Sequence, residues 1–269
     1  MTAIEILAPA FALAVLLIVS HVYFGLHVLA RGIIFVDLAL AQVAALGISV
    51  GFWLGYDPHG DASLAFAFVG AILAGAGFAL LRAVPGTTAR EVIIGCVYVV
   101  ATALSIMILS QSGQGMEELK ALFNGSLLFV SWREIGLTAA AYAAIALFQA
   151  LGWRRFRALS LGSSEASPGL ALEFGFFLSF AAMITISVYL AGILVVFAFL
   201  IIPAFAASVI LAGFAPRLIA GWVIGIAGAL AGLAAAYVFD LPVGAAVVAL
   251  LGFLLVVVGG WRAMARSRR

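Results

Sequence analysis

Runs of about twenty apolar residues, separated by short polar breaks, recur from one end of the chain to the other. A helix that crosses the hydrocarbon core of a bilayer needs about 20 mostly apolar residues. Nine stretches meet that criterion: 6–28, 33–56, 62–81, 91–110, 134–152, 171–191, 193–212, 218–238 and 244–261. The pattern predicts an all-α, polytopic transmembrane bundle forming one domain over residues 1–269. Only Gly192 separates the sixth stretch from the seventh. If one of that pair is re-entrant, the count falls to eight.

Charge supplies a second, independent signal. Basic residues follow the odd-numbered stretches: Arg31, then Arg82 and Arg90, then Arg154, Arg155 and Arg157, then Arg217, then Arg262, Arg266, Arg268 and Arg269. The alternate breaks are poor in them; residues 57–61 and 239–244 hold none. Residues 111–133 are mixed, with Lys120 and Arg133 against Glu117 and Glu118. Cytoplasmic loops carry the excess of Lys and Arg, so the alternation predicts an N-terminus outside and a C-terminus inside. The first stretch lacks the positive flank of a secretory signal and carries Glu5 instead, so it reads as a spanning helix.

Composition closes off the soluble alternative. The 269 residues are 67% hydrophobic and 9% charged, with a mean hydropathy of +1.30. Soluble domains carry roughly 25% charged residues. The net charge of +2 gives no reason to expect nucleic acid as a partner. The lone Cys96 cannot make an intrachain disulfide and reads as a small buried hydrophobe. Glycines four apart (Gly47, Gly51 and Gly55; Gly221 and Gly225; Gly228 and Gly232) suit close helix packing in lipid.

Polar side chains inside the apolar stretches are the candidates for function, because ionisable groups in a bilayer are costly. They are His21, Asp37 and Gln42, with Glu91 and Glu173 nearer segment ends. Counted from the turn at Arg31, His21 and Gln42 reach about 15 Å deep and Asp37 about 9 Å. The two deeper groups could face each other across a helical hairpin. A cargo pathway is one reading of the three; interhelical hydrogen bonding is the other. Glu91 and Glu173 stand where a carboxylate would cap a helix N-terminus.

Residues 153–174 form the longest basic connection, and their Ser, Pro168 and Gly169 suit a loop with a short helix. In a transporter, a soluble motor would dock there, through Arg154, Arg155, Arg157 and Glu165. The chain has no G-x-x-x-x-G-K-[ST] phosphate loop, no H-E-x-x-H and no G-x-S-x-G. It is therefore read as a non-enzyme that binds no cofactor itself.

Three stretches resemble the permease subunits of the zinc/manganese-type metal ABC transporters. They are GLHVLARGIIFVDLALAQVAALG (25–47), with its Arg31–Gly32 turn; GILVVFAFLIIPAFAASVIL (192–211), around Pro203; and DLPVGAAVVALLGFLLVV (240–257), with Pro242 before the last span. LFNGSLLFVSWREI (122–135) and EVIIGCVYVVATALSI (91–106) are weaker matches, and all fall in order.

The resemblance implies a dimer with a second permease copy, two copies of a cytoplasmic ATPase carrying ATP and Mg, a periplasmic metal-binding protein, and residence in a bacterial inner membrane. It implies import of zinc or manganese by alternating access, with Asp37 and His21 as candidate metal ligands. Where the family places an acid and a histidine on the second helix, this chain has Leu38 and Gln42, with Asp37 one residue earlier. Import of a metal chelate is the alternative. An ATPase-independent secondary transporter is the rival, and it would call for an internal repeat that the sequence does not display.

Overall fold

The computed structural model describes residues 3–267 except 112, 114, 126 and 162–168. Eleven α-helices account for most of the described residues, and no strand occurs among them. Nine are long and apolar enough to cross a membrane. These are α1 (Ala3–Arg31), α2 (Val36–Trp53), α3 (Asp61–Leu80), α4 (Thr87–Leu109), α6 (Trp132–Leu151), α8 (Leu170–Ala191), α9 (Ile193–Ile210), α10 (Phe214–Phe239) and α11 (Val243–Ser267). The two short ones, α5 (Gly115–Asn124) and α7 (Trp153–Leu161), lie in the two longest connections.

The sixth and seventh apolar stretches are separate helices of spanning length. Even α9, with 18 residues, extends about 27 Å at 1.5 Å per residue. Gly192 closes α8 and opens α9 with φ +78°. A side chain would be strained in that left-handed backbone, so one glycine suffices to separate two spans.

Burial sorts the helices into layers. The α2 and α8 spans are 61% and 67% buried, against 22% for α4, α6 and α11. With α1 and α9 they form the centre; α3, α4, α6, α10 and α11 surround them. α1 packs on α9 and α10, whereas α2 packs on α3, α4 and α8. The expected hairpin of the first two spans is therefore not formed along their length, and His21 and Gln42 belong to differently packed helices. The cause lies in the turn, whose hydrogen bonds run Gly32 N–H to Leu29 O and Ile33 N–H to Val28 O. That Schellman pattern ends α1 with Gly32 at φ +66°.

Small residues make the close contacts, as their spacing suggested. A Cβ on Gly47 would lie 2.5 Å from the Phe66 carbonyl oxygen of α3, and one on Gly232 would lie 2.5 Å from Val247 Cα of α11. Gly225 faces Ile18 and the ring of Pro203, so the α9 proline packs on the glycine face of α10. Gly55 breaks the series: it lies past the end of α2 with open space around it. Pro242 precedes α11 and its carbonyl accepts from Ala246 N–H, opening that helix. Cys96 corrects an expectation, because it is exposed on the outer side of α4 and not buried.

Candidate functional site

The buried polar side chains concentrate in the central helices. His21 and His27 of α1, Asp37, Gln42 and Ser49 of α2, and Glu173, Thr185 and Ser187 of α8 are all buried. The serines and Thr185 satisfy themselves on carbonyls one turn back: Ser49 on Ala45, Thr185 on Ala181, Ser187 on Met183. The ionisable groups and Gln42 are different. His21 Nε2, His27 Nε2, Asp37 Oδ1 and Gln42 Nε2 are buried without a partner.

His21 is held by its own helix. Its Nδ1–H donates to Leu17 O at 2.7 Å, which fixes the tautomer and leaves the Nε2 lone pair free within the core. A backbone carbonyl on one ring nitrogen is the arrangement that orients imidazole ligands for metals. His27 is held similarly. Ser160 Oγ donates to Phe156 O and accepts from His27 Nδ1–H at 2.6 Å. The pair joins α1 to α7, the short helix carrying Arg154, Arg155 and Arg157. His27 carries the same signal in the sequence as His21, an imidazole within an apolar run, but its role depends on a contact 133 residues away.

The motor-docking candidates divide. Arg154, Arg155 and Arg157 lie exposed on α7, while Phe156 and Ser160 turn inward. Arg157 lies 5.8 Å over the Trp153 ring. Glu165 and Pro168 are outside the described residues.

Neither Glu91 nor Glu173 caps its own helix. Glu173 pairs with Arg31, whose guanidinium rests over the Phe176 and Phe177 rings. The N-cap of α8, Gly169, accordingly has no side-chain bond. Glu91, in α4, keeps both carboxylate oxygens buried and without a hydrogen-bond partner.

Asp37, Gln42 and His21 are thus all buried in the central helices, and their free polar atoms, His21 Nε2, Asp37 Oδ1 and Gln42 Nε2, are not hydrogen-bonded to one another. Among the described residues no three His, Cys, Asp or Glu side chains form a ready-made metal cage. A crevice of about 360 Å³ between α1, α6 and α10 is lined by Tyr23, Tyr142, Gln149, Trp153 and Trp222 among others. Asp37, Gln42 and His21 do not line it, and its few polar groups are engaged: Tyr23 Oη donates to Gln149, which donates to Ser179.

Among the described residues, nine helices long and apolar enough to cross a membrane pack into one bundle, with buried ionisable side chains on α1, α2, α4 and α8, the make-up expected of a membrane permease. The chain belongs to the ABC 3 transport family, whose model matches residues 3–260. As a permease of that family it leaves ATP hydrolysis to a separate ATPase subunit.

Two solved structures share the fold. One is PsaBC from Streptococcus pneumoniae in complex with Fab, with 18% identity, a TM-score of 0.74, and coverage of 94% of this chain and 90% of that chain. The other is an inward-facing conformation of a putative metal-chelate type ABC transporter, with 17% identity, a TM-score of 0.68, and coverage of 93% and 84%. No curated protein matches the sequence.

Proposed function

We propose that this permease imports a divalent transition metal, zinc or manganese, by alternating access driven by its partner ATPase. The observation that carries the reading is Asp37. It is a carboxylate 1% exposed in a central helix, with Oδ1 unpartnered. A buried anion without a partner is costly enough to need a bound cation, a proton or water. His21 Nε2 offers a free imidazole lone pair on α1, another of the central helices. A conducted ion must leave as readily as it enters, so scattered weak ligands serve better than a closed cage.

The assembly we envisage has two permeases, an ATPase dimer that binds ATP and Mg, and a periplasmic binding protein, in a bacterial inner membrane. The N-terminus faces outside and the C-terminus inside, following the arginine alternation. Arg154, Arg155 and Arg157 then face the ATPase. Import of a metal chelate is the second reading, favoured by the fold shared with a transporter of that description.

The test is substitution in the assembled transporter. Asp37→Asn removes a charge while keeping shape, so it should cut uptake strongly without preventing assembly. Gln42→His adds imidazole, which suits zinc, and should shift preference toward zinc over manganese. Normal uptake by Asp37→Asn, with no change of preference in Gln42→His or His21→Ala, would remove all three from the pathway.

A further inference from the structure

α6 and α10 both pack on α1, and the crevice of about 360 Å³ lies between them with part of α1 as its floor. Its walls are almost wholly apolar, with Val19 and Phe24 from α1, Ile145 and Ala146 from α6, and Leu218 and Trp222 from α10. Val19 and Ala146 are exposed, so the crevice opens to the surroundings of the bundle. On α6 the lining runs from Tyr142 to Ala150, with Trp153 beyond it; eight helical positions are about 12 Å. A helix with its side chains is about 10–12 Å across, too broad for this slot. A single hydrocarbon chain is narrow enough.

One end of the slot is charged. There the Trp153 ring meets the Phe214 ring, with centroids 5.2 Å apart. Arg157 is exposed and lies 5.8 Å over Trp153. Arg217 stands one turn after Phe214 in α10, beside Leu218 of the lining, and its Nε donates to Leu211 O. Among the described residues neither arginine forms an ion pair. Two uncompensated guanidinium groups, from α7 and α10, thus flank the end of an apolar slot.

Tail and head contribute differently. A hydrocarbon chain in the slot gains little over the same chain in bulk lipid, so the slot fixes position and selectivity falls to the headgroup. Basic residues at a membrane surface favour anionic lipid about fivefold each. A tail lying along α6 would put its phosphate at the end where Arg157 and Arg217 stand.

We infer that the crevice between α6 and α10 holds one acyl chain of an anionic phospholipid whose headgroup rests on Arg157 and Arg217. The lipid would bridge α7 to α10 and leave Arg154 and Arg155 for the ATPase. The site is separate from Asp37, Gln42 and His21, none of which lines the crevice, so it stands whatever the cargo is.

The test is native mass spectrometry of the complete permease–ATPase complex, delipidated and then titrated with phosphatidylglycerol or with phosphatidylcholine of the same acyl chains. Wild type should retain phosphatidylglycerol better by about tenfold or more. Arg157→Gln and Arg217→Gln should each weaken phosphatidylglycerol retention about fivefold and leave phosphatidylcholine unchanged. Arg217 lies outside α7, so its variant keeps the charge test intact if Arg157→Gln loosens the ATPase. Ala146→Phe fills the slot and should weaken retention of both lipids. Arg133→Gln removes the same charge at the far end of α6 and should behave as wild type does.

Equal retention of the two lipids by wild type, or undiminished preference in both arginine variants, overturns the proposal. Full retention by Ala146→Phe places the lipid elsewhere and overturns it too. So does a changed number of permease copies in Ala146→Phe with lipid retention intact, which would make the slot a contact between copies.

Discussion

Arg31, the last residue of α1, donates to the carboxylate of Glu173 in the first turn of α8, a contact spanning 142 residues of sequence. The guanidinium lies 4.7 Å from the Phe176 ring centroid and 5.2 Å from that of Phe177. One partner is positioned by the glycine turn that ends α1; the other sits one turn into a central helix. The pair joins the two halves of the bundle at one end of the molecule, and Phe24 stacks on Phe180 at 5.0 Å deeper along the same two helices.

Removing one partner leaves the other charged, buried and alone. Glu173→Ala should therefore destabilise the bundle by roughly 3–5 kcal/mol, read as a lower unfolding temperature in nanodiscs. Arg31→Lys should recover only part of the stability, because an ammonium does not reproduce planar stacking on Phe176 and Phe177. An unfolding temperature for Glu173→Ala equal to that of the wild type would show that the pair carries no structural load.

Close approach of backbones makes a second, sharper contrast. A Cβ on Gly25 would fall 2.1 Å from the Leu200 carbonyl oxygen, whereas one on Gly95 meets nothing within 4 Å. Gly25→Ala should force α1 off α9 and cost about 1–3 kcal/mol. Gly95→Ala should be neutral, or stabilising by up to about 1 kcal/mol through helix propensity. Comparable loss of stability in both would contradict the packing described.

The proposed orientation is checked by single cysteines in a Cys96→Ala background. Reporters at His59 and Asp240 should react with impermeant reagent from the outside. Those at Arg157 and Arg217 should react only after the inner face is opened. Inside reactivity at position 240 would break the alternation of arginines on which the orientation rests.

Docking of the ATPase should depend on α7. Reversing charge at Arg154 and Arg155 together, both exposed, should weaken the complex by about tenfold or more, read by co-purification and titration. Ser160→Ala should leave the charges in place yet loosen α7 from α1, because His27 Nδ1–H loses its acceptor. The purified permease alone should hydrolyse no ATP. Unchanged affinity after charge reversal would move the docking surface elsewhere.

Hydropathy marks where a chain enters and leaves a membrane, and it placed the spans well: 171–191 against Leu170–Ala191, and 134–152 against Trp132–Leu151. It ran short where helices continue through polar residues, so α4 begins at Thr87, ahead of Glu91, and α11 runs through Arg262. The short helix α5 hid in a mixed loop, although Leu122 and Phe123 face the core while Glu117 and Lys120 face out. Family-like motifs at Arg31–Gly32 and Pro203 marked true packing features, the Schellman turn and the seat on Gly225.

Partners were not legible, because apolar periodicity says nothing of which helix lies beside which. Depth counting paired His21 with Gln42, but α1 turned to α9 and α10 while α2 turned to α3, α4 and α8. The same limit misassigned both glutamates. Sequence position suggested caps for their own helices; tertiary contact gave Glu173 to Arg31 and left both Glu91 oxygens buried without a hydrogen-bond partner. Cys96 was read as buried because its neighbours are apolar, which in a membrane protein is equally true of an outward face.

The most direct test of the account is metal uptake into proteoliposomes holding the permease with its ATPase and binding protein. Labelled Mn²⁺ or Zn²⁺ is supplied on the binding-protein side and ATP on the ATPase side. The account predicts saturable accumulation that requires ATP, the ATPase and this chain, and that falls sharply when Asp37 becomes Asn. Accumulation that proceeds without ATP or without the ATPase, or none of either metal in a complex that hydrolyses ATP and engages its binding protein, would contradict it.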